Sequence, residues 1–190
     1  MTLEEMNLAC ERLEAAQACR NLVGKLSYFD SAFRMKDLLA LWDNSDEAEL
    51  RLPDETHQGF EALEARGDRD DAGMDVKMRG TLVIHNMNSD ALEISPDAKT
   101  AHGTWFSPGI ETDLFDPADP AATPDKHNTA DLEASANYVW QEYGLDFVRR
   151  EDGWKIQKLK VRTFFDTPFD TPWSQAEDTL WAPDAVVAEM

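Results

Sequence analysis

Three residues have surroundings that could give them chemistry: His85, Asp30 and Arg162. His85 closes the run TLVIH, in which Thr81 and Val83 share one parity and Leu82 and Ile84 the other. Both faces of this predicted strand are therefore covered, and the imidazole is shielded from bulk water. A buried neutral imidazole held by one ring nitrogen can take or give a proton at the other near neutral pH, and a neighbouring carboxylate stabilises the cation that forms. Without such a neighbour, a lone histidine in this setting is a core residue with a satisfied hydrogen bond.

Asp30 is the candidate neighbour. It stands seven residues after Val23, four after Leu26 and three before Phe33, on the apolar stripe of a predicted helix. A carboxylate there needs a partner: either it serves a site, or it caps or salt-bridges something structural. Arg162, in KLKVRTFF, alternates with Val161 and Thr163 and can face either side of its strand. Outward it is a solubilising charge; inward it could bind a ligand carbonyl, hydroxyl or carboxylate, or stabilise developing negative charge. His102 falls on a mixed face of a later strand, and His57 and His127 fall in polar loops. No histidines or acids show metal-ligand spacing on a common element, and the chain has no glycine-rich phosphate cradle or G-x-S-x-G elbow. The expected chemistry is proton transfer without cofactor or metal. Cys10 and Cys19, about 13 Å apart on one helix, are too distant to bridge.

The elements that must position these residues change character along the chain. Leu3, Met6, Cys10, Leu13, Val23, Leu26 and Phe33 recur at helical spacing, which predicts an amphipathic helix interrupted near Gly24. MKDLLALW predicts a second short helix, AELRLP a short strand ended by Pro53, and residues 59–69 another helix. From TLVIHNM onward the segments ALEIS, KTAHGTWF, YGLDFVRRE and GWKIQKLKVRTFF are strand-like, separated by turn signals. Helices first and strands afterwards indicate an α+β layer. In the last strand Trp154 and Ile156 share one parity, and Leu159, Val161 and Thr163 the other, which predicts a bulge near Gln157 and Lys158. Residues 107–137, acidic and with four prolines, read as a lid or disordered insertion, and the tail from residue 166 reads as lying across the surface of the domain or of a partner subunit.

A chain of 190 residues is one domain's length, and 38 acids against 18 bases give a formal charge of −20. That charge repels phosphate backbones and anionic lipid, so neither nucleic acid nor membrane is expected as a partner. With no apolar run of membrane-spanning length and no secretory pattern in MTLEEMNLACERLE, a cytoplasmic location is expected.

The helix ending YFDSAF, the strand ending IH, the turn and strand SPDAKTAHGTWF and the final EDGWKIQKLKVR resemble the SnoaL-like branch of the NTF2-like superfamily, over residues 5–106 and 138–165. The resemblance implies an α+β cone, in which a curved, mostly antiparallel sheet wraps around N-terminal helices and encloses a pocket. On that reading residues 1–165 form the domain, with the acidic insertion 107–137, and residues 166–190 are an extension. It also implies a homodimer or homotrimer joined through the open sheet.

Within the superfamily, the bile acid 7α-dehydratases, and more distantly the scytalone dehydratases, have an acid on the first helix and a strand-terminal histidine. The former also have a Val-Arg pair near the end of the last strand. Asp30, His85 and Arg162 match these positions. The bile acid enzymes' tyrosine, one turn before the acid, has no counterpart, because Leu26 follows Gly24 and Lys25 and Tyr28 lies across the helix from Asp30. Tyr143 or Tyr138 is left as the proton donor. The implied activity is that of a cofactor-independent lyase (dehydratase) or isomerase. Its substrate would be a small apolar hydroxylated or keto compound, whether steroid-like, polyketide-like or aromatic. His85, oriented by Asp30, would be the base, and Arg162 would place the substrate. The alternative is a non-catalytic small-molecule-binding or dimerisation module in which these residues form a satisfied buried network.

Overall fold

The computed structural model describes residues 1–77, 82–115, 117–118 and 133–172, without the side chains of 69–77 and 113–115. Helix α1 spans Leu3–Ser31. It opens with a capping box: the Thr2 hydroxyl accepts from the Glu5 amide at 3.1 Å, and the Thr2 amide donates to the Glu5 carboxylate at 2.7 Å. No break occurs at Gly24. Leu22, Val23 and Leu26 are buried around it, and their packing outweighs the roughly 1 kcal/mol by which glycine disfavours a helix interior relative to alanine. The expected apolar stripe is buried only in its second half. Leu3 and Leu13 are 74% and 72% exposed, and burial begins at Ala15. Cys10 is exposed and Cys19 buried, both as free thiols, and burial pushes the Cys19 thiol up to about 12.

Helix α2 spans Met35–Leu39, strand β1 Glu49–Arg51 and strand β2 Thr56–Gln58. Helix α3, Phe60–Lys77, extends eight residues beyond the expected 59–69. Strands β3 (Val83–His85), β4 (Asn88–Ile94), β5 (Thr100–Phe115), β6 (Glu133–Arg150) and β7 (Gly153–Pro168) complete one seven-stranded sheet. Its order is β2-β1-β7-β6-β5-β3, with β4 also paired to β5. Every pairing is antiparallel except β1 with β7. The helices pack on one face, where Leu145, Phe147, Ile156, Leu159, Val161 and Trp105 build the core with Val23 and Leu26. This is the expected α+β architecture.

The predicted bulge is present. Asp146 faces Lys158 while Phe147 faces Ile156, so Gln157 is the extra residue, and Ile156 and Leu159 share the core despite their opposite parity. A second bulge, not foreseen, makes Phe164 the extra residue between Trp140–Phe165 and Gln141–Thr163.

The stretch 107–137 departs from its reading as an insertion. Ser107–Phe115 continues β5 and Glu133–Asn137 opens β6, paired residue by residue. Their polar composition hid the strands, and Pro108, which has no amide hydrogen to give the ladder, still accepts from the Asn86 amide at 3.4 Å. Residues 119–132, with His127, and the tail beyond 172 lie outside the described residues. Strand β7 runs to Pro168, past the expected boundary at 165.

On the outer face of the sheet Phe106, Tyr138, Trp140 and Phe169 are each 40–48% exposed, and Tyr138 stacks on Phe169 at 4.0 Å. No helix among the described residues is long and apolar enough to cross a membrane.

A buried carboxylate ties the helix side to the sheet. Asp43, buried, accepts from Arg150 Nε at 2.7 Å and Nη2 at 2.6 Å and from the Ser45 hydroxyl at 2.6 Å. Hydrogen bonding to Arg150, helped by Ser45, holds its carboxyl below the usual carboxylate value. A depressed folded-state value contributes stability that is present above the ordinary value of 3.8 and lost as pH falls through the folded one. Asp43→Ala is expected to cost about 1.5–3 kcal/mol in urea unfolding at neutral pH, and less as the solution is acidified.

Candidate functional site

Strand β3 is an edge strand, and its outer edge meets α1 instead of another strand. The Ser27 hydroxyl donates to the His85 carbonyl at 2.5 Å, and the His85 amide donates to Ser31 Oγ at 3.4 Å. Two serines one helical turn apart thus satisfy the backbone that an edge leaves open. The shielding expected along TLVIH is confined to its end: Leu82 is 48% exposed and Val83 and Ile84 are partly buried, but His85 is only 6% exposed.

Across the ladder His85 faces Gly109, and a side chain there would not fit. A Cβ on Gly109 would lie 2.6 Å from the Ile84 carbonyl oxygen and 3.0 Å from His85 Nδ1. Glycine therefore leaves the space the imidazole occupies. Two residues further along the same face of β5, Glu111 Oε1 lies 3.2 Å from His85 Nε2. An ionised carboxylate only accepts, so the neutral ring carries its hydrogen on Nε2 and a bare lone pair on Nδ1. Nδ1 is buried with no hydrogen-bond partner. Burial alone would lower the His85 pKa, but the Glu111 hydrogen bond and the charges of Asp30 and Glu111 outweigh it and raise the value above 6.5.

Asp30 does not clamp the ring as expected. Neither ring nitrogen hydrogen-bonds to it, and it acts on the imidazole through space. The clamp is Glu111, which the sequence reading placed in the acidic insertion. Its signal was Gly109-x-Glu111 on the strand facing His85, legible only once the pairing of β3 with β5 is known.

Asp30 instead lines a cavity of about 100 Å³ whose apolar walls include Leu26, Trp42 and Met87. Tyr143 lines the same cavity, and its ring centroid is 6.1 Å from that of His85, which sits behind this wall and is not itself part of the lining. The Tyr143 hydroxyl donates to Gln141 Oε1 at 3.1 Å, and Gln141 Nε2 donates to Thr163 Oγ1 at 3.3 Å. Burial, reinforced by the charges of Asp30 and Glu111, pushes the phenol well above 10, so it stays protonated. Arg66 also reaches the wall, its Nε donating to Glu55 at 3.0 Å. Nothing in the sequence pattern singled it out.

Arg162 is not in this site. Val161 faces the cavity, so the next residue on the strand faces outward, where Arg162 Nη2 bonds Glu142 at 3.2 Å and the guanidinium lies over Phe164. Tyr138 is likewise on the outer face. His102 pairs with Asp146 at 2.6 Å on the surface, and His57, in β2 and not in a loop, lies 3.0 Å from Glu55. Among the described residues no group of three or more histidines, cysteines or acids is placed to hold a metal ion.

No protein-family model matches the chain, and no curated protein matches its sequence. Solved structures do match. A hexachlorocyclohexane dehydrochlorinase, LinA-type3 from Novosphingobium barchaimii, is 17% identical with a TM-score of 0.62, over 86% of this chain and 96% of that one. A protein from Novosphingobium aromaticivorans provisionally described as a scytalone dehydratase is 14% identical with a TM-score of 0.60, over 87% of this chain and 94% of that one. An NTF2-like protein with a cystatin-like fold from the same organism is 14% identical with a TM-score of 0.57, over 91% and 94%. Helices packed on one face of an open mixed sheet, together with these likenesses, give the chain the NTF2-like fold.

Proposed function

We propose that the protein is a cofactor-independent acid–base enzyme of the lyase type, a dehydratase or a related isomerase, with His85 as its base. The observation that carries this reading is the buried imidazole fixed through Nε2 on Glu111, with Nδ1 unpartnered, its ring packed near Tyr143, which with Asp30 lines an apolar cavity. Two of the structurally similar proteins are a dehydrochlorinase and a protein provisionally described as a scytalone dehydratase, which supports elimination chemistry on this fold.

Nδ1 takes a proton from a substrate carbon, and the carboxylates of Glu111 and Asp30 stabilise the imidazolium. In a dehydration that proton then leaves with the departing hydroxide as water; in an isomerisation it returns to another carbon. Tyr143 keeps its own proton, which points at Gln141, so the imidazolium is the donor. Arg162, paired with Glu142 on the outer face of the sheet, has no part in the reaction.

The cavity is far below the roughly 300 Å³ at which pockets for drug-sized ligands begin. A single small ring suits it, and a steroid body would need its walls to move. A binding module without turnover is the second reading, favoured by the absence of Arg162 from the cavity. The exposed aromatics of the outer sheet face support extending the proposal to a homo-oligomer joined there.

Small cyclic hydroxy ketones incubated in D₂O and followed by NMR test the proposal through deuterium incorporation or alkene formation. His85→Ala should lower that rate by about 10²–10⁴ with the folded circular dichroism spectrum retained. Arg162→Ala should change it less than about twofold, and a large loss would contradict the geometry. Ligand binding with no turnover by the intact protein would favour the binding module.

The pH dependence has a definite sign. A base works when deprotonated, so activity should rise with pH through a midpoint above 6.5. The same raised value means that the stability contributed by protonated His85 is present below 6.5 and lost as pH rises through the folded value. Glu111→Gln removes one of the raising charges, and the midpoint of its pH–rate profile should fall.

A further inference from the structure

The cavity wall has a seam where two helices meet. Leu39, the last residue of α2, and Gly67, in the interior of α3, both line it. A Cβ on Gly67 would lie 2.7 Å from Leu39 Cδ1 and 3.4 Å from its Cγ. The first distance is well inside the roughly 3.5–4.0 Å at which carbon atoms rest, so Leu39 occupies space that any other residue at 67 would claim. Gly67 is buried in a helix interior, where glycine is a poorer helix former than alanine. Helix propensity does not account for it, whereas the close approach of Leu39 does. The sheet side of the cavity is different: Leu50 and Leu159 line it as partners in the β1–β7 ladder, whose hydrogen bonds hold them in place. Leu39 ends a helix of five residues that has no side-chain cap at its start, and its branches can turn.

We propose that Leu39, seated in the gap that Gly67 leaves, sets the upper size of ligand the cavity admits, and that this limit is a single ring. The proposal rests on the reading of the cavity as a ligand site and deepens it by naming the residue that selects among substrates by size. Leu39 makes the contact, and Gly67 is a positioning residue that acts through it. A methyl group added at 67 must displace a Leu39 branch, and because both residues line the cavity, the room comes out of the cavity. A space of about 100 Å³ has little to give. Truncating Leu39 does the reverse, since a second fused ring can take the room of the lost branch.

Cyclopentanone and 1-indanone, one ring and two fused rings carrying the same ketone, are the probes. They are titrated into the full chain and followed by NMR at the methyl groups of Leu26 and Val161, which line the cavity, so that binding elsewhere on the surface is not counted. The wild type should bind cyclopentanone and discriminate against 1-indanone. Leu39→Ala should raise the affinity for 1-indanone about tenfold. Gly67→Ala should weaken cyclopentanone about tenfold, and adding Leu39→Val to it should restore that affinity, because the shorter side chain makes way for the methyl group. A merely structural role for Gly67 would leave the loss unrestored in the double variant and would overturn its assignment as a positioning residue. If Gly67→Ala does not fold, Leu39→Ala carries the test. Equal affinities for the two ketones in the wild type, unchanged discrimination in Leu39→Ala, or undiminished cyclopentanone binding in Gly67→Ala would overturn the proposal while leaving the cavity a ligand site. Binding of neither ketone by the wild type would overturn the proposal together with the ligand-site reading.

Discussion

The hydrogen bond between His85 Nε2 and Glu111 is the constraint around which this end of the molecule is arranged. An imidazole 6% exposed to solvent must have a polar partner, and the chain supplies one from the facing strand. That contact needs three other features. Gly109 must lack a side chain so that the ring can lie against the ladder. Ser27 and Ser31 must hold the strand's backbone from the helix side. The arms of β5 and β6 must extend well past the core to bring Glu111 within reach. Together they hold the ring on Glu111 and leave one ring nitrogen without a partner.

The sheet does the positioning. Two bulges in β7 reset its parity, so that residues of both registers face the helices. The first keeps Ile156 and Leu159 in one core, and the second brings Thr163 opposite Gln141. Tyr143, Gln141 and Thr163 thereby form a chain of hydrogen bonds on the inner face, while Glu142 and Arg162, one residue away on the same strands, pair on the outer face. The same geometry that builds the pocket therefore removes the arginine from it.

Much of the architecture was legible in the residues. Helix-spaced apolar residues followed by β-branched runs gave the α+β class, and the parity conflict between Ile156 and Leu159 located the bulge at Gln157. Asp30 was legible as a carboxylate on an apolar stripe, and it does reach the cavity. Glu111 was not, because its strand is polar and proline-containing and reads as a loop until β3 is paired with it. Arg162 was ambiguous for the reason that made the bulge visible: a one-residue offset exchanges inside and outside, and local spacing does not show where the offset ends. Leu3 to Leu13 misled in the opposite direction. Their period is helical and the helix is real, but no described part of the chain covers that face.

The account depends on where the neutral imidazole carries its hydrogen, and nitrogen-15 NMR of the histidine side chains reads this directly. Above its titration midpoint, His85 should show a protonated Nε2 and an unprotonated Nδ1, the pattern that a carboxylate on Nε2 imposes. A hydrogen on Nδ1 in the neutral ring would contradict the clamp by Glu111, and with it the assignment of His85 as the base.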